Sequence, residues 1–191
     1  MSIQIQKIGI IGVGTMGAGI AQIAIQSGHD VILFDAKEGA AEQAQDKLAK
    51  TLNTLADKGK FSHEKAAEDI AHLSTAQQLE DLKDCDLIVE AIIENLDIKQ
   101  KLMQQLEGII KPEAILASNT SSLSISAIAA NCSQPERVAG YHFFNPVPLM
   151  KVVEVIEGFN TRADIIEALT QLSTKMGHRP VKAKAVSYTH L

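Results

Sequence analysis

The sequence predicts an α/β fold, a mostly parallel sheet with helices on both faces and a helical pair inserted after the second strand. Three observations carry that reading. Short apolar runs recur along the chain, and their near-continuous hydrophobicity suits strands covered on both sides. Segments with apolar residues three and four apart separate them, as crossover helices would. A glycine-rich turn, Gly12-Val13-Gly14-Thr15-Met16-Gly17, stands between the first run and the first helical segment.

Taken in order, Lys7 to Ile11 is the first buried strand. Gly12 can take the tight turn out of it, Gly14 leaves its backbone open to a close ligand, and Gly17 lets the next helix pack tightly. That helix runs to Ser27, with Ile20 and Ile23 at helical spacing and Gly28 as its stop. Its N-terminal N–H groups and positive dipole end suit phosphate. A second strand, Val31 to Phe34, ends in Asp35, placed to accept hydrogen bonds from ribose hydroxyls. The same carboxylate would repel an extra phosphate, and no Arg follows it, so the expected cofactor is NAD rather than NADP. The glycines alone are a weak signal. Strand, glycines, helix, strand and acid in one unit make a strong Rossmann-type one.

The inserted pair follows, at about residues 39–71. From Gly39 to Lys58, Ala41, Ala44, Leu48, Leu52 and Leu55 form one apolar stripe, with Thr51 and Lys58 on a common flank. A short second helix reaches Ala71. Strands are expected at Ile70 to Ser74 and at Asp86 to Ala91. The latter runs into Glu94-Asn95 and a helix carrying Ile98, Leu102, Leu106 and Ile109. Glu94 and Lys99 stand at that helix entrance, beyond the carboxyl end of a strand, where ligands of open α/β sheets collect. Either one alone reads as surface charge.

After Pro112, a strand at Ala114 to Ala117 ends in Ser118-Asn119-Thr120-Ser121-Ser122. Such a run can form a turn and N-cap for the helix at Ile125 to Ala130, yet a cap needs only one residue. Val138 to Tyr141 is a strand ending in His142-Phe143-Phe144-Asn145-Pro146-Val147-Pro148. Lys151 to Ile156 is another, with Glu154 among Val152, Val153, Val155 and Ile156, where an unpaired charge is costly. That acid calls for a partner, for which Lys151 is a purely structural candidate. A helix over Ala163 to Met176 and a strand over Arg179 to Ala183 complete the pattern.

Composition bounds the function. At 46% hydrophobic and 21% charged, 191 residues suit one well-buried domain. The net charge is −5 and the 18 basic residues are spread thinly, which argues against nucleic acid or an anionic membrane as the main partner. The polar N-terminus and the lack of any long apolar run predict a soluble, cytoplasmic protein. Cys85 and Cys132 lack metal-ligand spacing and read as two free thiols, with no metal expected.

From about residue 5 to residue 184 the chain resembles the NAD-binding domain of the L-3-hydroxyacyl-CoA dehydrogenases. The likeness rests on the glycine turn, on Val89-Glu90-Ala91-Ile92-Ile93-Glu94-Asn95, on Ala117-Ser118-Asn119-Thr120-Ser121-Ser122, and on His142-Phe143-Phe144-Asn145-Pro146-Val147-Pro148. It implies reversible hydride transfer between NAD and carbon 3 of a 3-hydroxyacyl-CoA, as in fatty-acid or aromatic-acid breakdown. Carried across by motif, His142 is the general base, Glu154 orients its imidazole, Ser121 binds the reacting oxygen, and Asn145 holds substrate or nicotinamide. Gly12, Gly14, Thr15, Met16, Gly17, Asp35, Glu94 and Lys99 would contact the cofactor, together with Ser121 and Asn145. Thr51, Lys58 and Ser121 would meet the CoA substrate.

The chemistry of those residue types agrees. Alcohol oxidation needs a base that works near neutral pH, which histidine provides, and a neighbouring carboxylate favours imidazolium and fixes which ring nitrogen faces substrate. The family continues into an all-helical domain that closes the cleft and pairs two subunits. Residues 185–191 do not match that continuation and read as a truncated or foreign tail, in which Tyr188 and His190 do no chemistry. A chain of this length is therefore expected to bind NAD and to turn over poorly. Two other classes compete: a non-catalytic, crystallin-like nucleotide-binding protein, which has no use for a His142–Glu154 pair, and a 3-hydroxyisobutyrate-type dehydrogenase, which the His-Phe-Phe-Asn-Pro run disfavours.

Overall fold

Strands and helices alternate along residues 3–184, the part of the chain that the computed structural model describes. The order is β1 (Lys7–Ile11), α1 (Thr15–Gln26), β2 (Asp30–Phe34), α2 (Ala40–Asp57), α3 (His63–Ala71), β3 (Leu73–Thr75), β4 (Leu87–Glu90), α4 (Leu96–Glu107), β5 (Ile115–Ser118), α5 (Ile125–Ile128), β6 (Val138–Phe143), β7 (Val152–Glu157), α6 (Ala163–Lys175) and β8 (Arg179–Lys184). The strands make one sheet, ordered β3-β2-β1-β4-β5-β6-β7-β8. Every neighbouring pair is parallel except β6 with β7. From β1 the chain moves outward through β2 and β3, then returns to lay β4 on the other side of β1. That reversal opens a crevice at the carboxyl ends of β1 and β4, where doubly wound sheets take ligands.

Both faces of the sheet are covered, as the continuous apolar strands require. Ile10 and Val89 join Ile20 of α1, Leu52 of α2, Ala66 of α3 and Leu169 of α6 in one core. Ile88 and Leu116 face the opposite way, into a second core with Met103 and Leu106 of α4 and Ile128 of α5. The turn from β1 to α1 needs its glycines. Gly12 has φ +90, and a Cβ there would lie 2.7 Å from the Ala91 carbonyl oxygen. A Cβ on Gly17 would collide with the carbonyl oxygen of Gly12.

Several boundaries differ from expectation. Ile70 and Ala71 finish α3, whose start Ser62 caps by accepting from Lys65 N at 3.1 Å, so β3 begins only at Leu73. The buried face of α4 is Lys99, Met103 and Leu106; Leu106 is on the expected stripe, whereas Leu102 is half-buried and Ile98 exposed. α5 stops at Ile128, and β6 extends to Phe143, which places His142 inside the strand. The expected tail at 185–191 lies outside the described residues. Among the described residues no helix is long and apolar enough to cross a membrane. Burial pushes the Cys85 and Cys132 thiols up to about 12 and about 11, so neither is a nucleophile at neutral pH.

Candidate active site

A cleft of about 620 Å³ opens at the crevice, between the start of α1, Asp35, α2 and the Asn145–Pro148 segment. Gly14 is the N-cap of α1 but gives no side-chain cap, and the first turn carries no acid. The leading N–H groups of the helix are left for a ligand to satisfy. No atom lies within 4 Å of where a Gly14 Cβ would be, so the approach is open. Thr15 is exposed and Met16 half-buried at the same turn. Across the cleft, Asp35 accepts from Val13 N at 3.0 Å and from Lys37 N at 2.9 Å. Two backbone donors fix the carboxylate while roughly half of its acceptor capacity stays free for hydroxyls. Anion-ready turn, open backbone and fixed acid fit a dinucleotide.

At the carboxyl end of β5, the serine-rich run does not cap α5; Ser124 does, accepting from Ala127 N at 3.3 Å. Glu94 organises the run instead. Its Oε1 accepts from the Thr120 hydroxyl at 2.5 Å, from Ser121 N at 3.0 Å and from Ser122 N at 3.2 Å. Burial pushes the Glu94 carboxyl up, but the Thr120 hydroxyl, the Lys99 ammonium and the two amides outweigh it and bring it down to about 2. Lys99, expected to touch the cofactor, is 1% exposed; its Nζ sits 2.5 Å from Glu90 and 3.4 Å from Glu94. Its ammonium joins Glu90 to Glu94, the acid that shapes the loop.

His142 and Glu154 meet because of strand register. They are direct partners across the antiparallel β6–β7 pair, so their side chains share a face. Tyr141 and Phe143 point into the first core, and alternation sends His142 the other way. His142 Nδ1 lies 2.8 Å from Glu154 Oε2. Glu154 is half-buried, with its side chain 37% exposed, rather than enclosed, and its partner is His142 rather than Lys151. Asn119 joins the two loops by accepting from Phe143 N at 2.9 Å. Beyond β6, Asn145 is exposed, while Val147 is buried where Gly19 of α1 allows close approach, and His178 Nε2 holds its carbonyl at 3.0 Å. Further along α2, Thr51 and Lys58 line a shallow pocket with Lys47, Lys50, Thr54 and Leu55.

Glu90, Asn119, Thr120 and His178 were not singled out in the sequence. Glu90 carried a signal as an acid at the end of Leu87-Ile88-Val89, and Asn119 and Thr120 as members of the polar run, whereas His178 carried none.

What takes shape at the switch point is a dinucleotide-binding domain with a histidine–carboxylate pair on the same sheet. The family model for the 3-hydroxyacyl-CoA dehydrogenase NAD binding domain matches residues 7–186, and the chain belongs to that family. A probable 3-hydroxybutyryl-CoA dehydrogenase of Deinococcus radiodurans is 46% identical over 178 residues, 92% of this chain and 63% of its own length. The 3-hydroxyadipyl-CoA dehydrogenase of Escherichia coli K12 is 42% identical over 95% of this chain and 38% of its own length. A solved 3-hydroxybutyryl-CoA dehydrogenase from Escherichia coli K12 superposes with a TM-score of 0.93 at 41% identity, over 96% of this chain and 39% of that one. This chain thus spans less than two thirds of the length of these relatives.

Proposed function

We propose that the chain is the cofactor half of an NAD-dependent dehydrogenase that oxidises an L-3-hydroxyacyl-CoA to the 3-oxoacyl-CoA. The observation that carries this is the His142–Glu154 contact of 2.8 Å at the end of β6, beside the loop bearing Ser121. NAD supplies the hydride acceptor. The chain's own residues manage the proton. A carboxylate can only accept, so His142 Nδ1–H donates a hydrogen bond to Glu154 and leaves Nε2 as the base for the substrate hydroxyl. As that proton arrives, the Glu154 charge stabilises the imidazolium. Ser121 donates to the reacting oxygen, and Asn145 holds the substrate or the nicotinamide. Gly12, Gly14, Thr15, Met16, Gly17 and Asp35 seat the dinucleotide, with Glu94 and Lys99 at its far side. Thr51 and Lys58 receive the CoA portion, as the exposed lysines along α2 favour for a phosphate-bearing substrate. Pairing of two full-length subunits through a helical domain belongs to the same reading.

The test uses a form extended by the C-terminal segment of its longer relatives, with 3-hydroxybutyryl-CoA and NAD, followed at the NADH absorbance. His142→Gln should lower kcat by ~10²- to 10⁴-fold and leave NADH affinity unchanged. Full turnover in that variant would remove His142 from the mechanism.

A further inference from the structure

Residues 145–148 form one wall of the cleft, yet they have little means of holding their own shape. Pro146 and Pro148 carry no N–H, so the segment cannot pair as a regular strand, and its carbonyl oxygens need donors from elsewhere. The Pro146 carbonyl finds them in Leu149 N and Met150 N, both at 2.9 Å. The Val147 carbonyl finds its donor in His178 Nε2, at 3.0 Å. His178 is 3% exposed, and a buried imidazole is costly unless its nitrogens are bonded. The end of α6 brings it there. Gly177, at φ +72, lets His178 N donate back to Ser173 O at 2.9 Å, which turns the chain toward the sheet. His178 Nδ1 then lies 3.1 Å from the Met176 carbonyl, and the ring stands edge-on to Phe143, the neighbour of His142 on β6, with centroids 5.6 Å apart.

Val147 itself is 1% exposed and rests on α1, where a Cβ on Gly19 would come within 2.9 Å of the Val147 Cβ. The wall is thus fixed to α1 by packing and to the turn after α6 by one hydrogen bond. We infer that His178 is a positioning residue for the cofactor site. Its Nε2–H donates to the Val147 carbonyl and sets the wall, with Asn145 at its edge, at a fixed distance from the glycine turn. A carbonyl oxygen only accepts, so the bond requires the hydrogen on Nε2. His178 does not line the cleft, and it acts through Val147. An apolar side chain of the same size would fill the space and leave that carbonyl without a donor. The inference rests on the dinucleotide reading of the cleft for its effect on binding, though not for the bond itself.

Two substitutions of similar length separate the bond from the bulk. His178→Gln keeps an N–H near the place of Nε2, and His178→Met fills the space without a donor. In the 191-residue chain, NADH affinity by fluorescence titration should fall ~10-fold in His178→Met, as an orphaned buried carbonyl demands, and stay within ~3-fold of wild type in His178→Gln. The carbonyl carbon resonance of Val147 should shift in His178→Met and return toward its wild-type position in His178→Gln. Ring nitrogen spectra of the wild type should show a hydrogen on Nε2. Equal NADH affinity in all three proteins, or an equal loss in both variants, overturns the inference, and so does an Nε2 without a hydrogen. If His178→Met does not fold, His178→Asn, whose amide reaches only as far as Nδ1, takes its place with the same expectations. Loss of the native spectrum in both assigns His178 to folding and also overturns it. A wild-type chain that ignores NADH would defeat the cofactor reading, and the Val147 carbon and the ring nitrogens would then decide the bond.

Discussion

One carboxylate, that of Glu94, converts residues 120–122 from a surface turn into a shaped loop. Because its folded value of about 2 lies below the ordinary 4.5, it stabilises the fold fully above pH ~4.5, and that contribution disappears as pH falls toward 2. With 37% of the side chain exposed, water screens the effect to about 1 kcal/mol. Urea unfolding should therefore find Glu94→Gln less stable than wild type at pH 6, with the gap closing as pH drops below 4.5. A gap independent of pH would mean that charge on Glu94 does not hold the loop. At this scale the sequence was partly legible. Glu154 declared itself as an acid inside an apolar strand. Glu90 sends the same message but stands at a strand end, where it passes for surface. Lys99 stood out by its place at the helix entrance, but its burial could not be read, since a lysine on a helix is ordinarily exposed and only an acid from a different element explains it.

Elements were legible where periodicity alone decides them. β1, α1 and α2 stand within a residue of the expected bounds, and the glycine turn lies where the pattern put it. In α4 the expected stripe shares Leu106 with the buried face but misses Lys99 and Met103, because an ion pair rather than an apolar side chain occupies part of that face and hydrophobic periodicity has no symbol for it. β3 began late because it is a three-residue edge strand, too short to leave a pattern. The β6–β7 register, which creates the His142–Glu154 pair, was invisible as register and was reached only through motif likeness. The β1–α1 turn makes a direct prediction. Gly17→Ala drives a methyl group into the Gly12 carbonyl, so the helix must shift by enough to cost ~1–3 kcal/mol. Because the displaced N–H groups are those proposed to meet phosphate, NADH affinity should fall with thermal stability, measured by fluorescence titration and melting. A variant that keeps wild-type NADH affinity would separate that helix end from the cofactor.

At the scale of the whole molecule the two halves of the proposed reaction are unequally built. The dinucleotide side is assembled within residues 3–184, from a glycine turn, an uncapped helix and a fixed Asp35 around one cleft. The proposed acyl-CoA side is a shallow, open row of α2 side chains, and in the segment after His142 Leu149 is 75% exposed and Met150 44%. The Deinococcus radiodurans and Escherichia coli relatives devote 37% and 62% of their length to sequence that this chain does not match. Cofactor binding should therefore survive in the 191-residue chain, while catalysis, which needs the reacting oxygen held within fractions of an ångström, should not. NADH affinity is expected within ~10-fold of that of the extended form, and turnover of 3-hydroxybutyryl-CoA ~100-fold lower or less. Fluorescence titration and a coupled rate assay on the two forms measure both quantities. Comparable turnover in the short chain would mean that the open α2 face and the loop after His142 already hold substrate closely enough for hydride transfer, and that the acyl-CoA site lies within this domain.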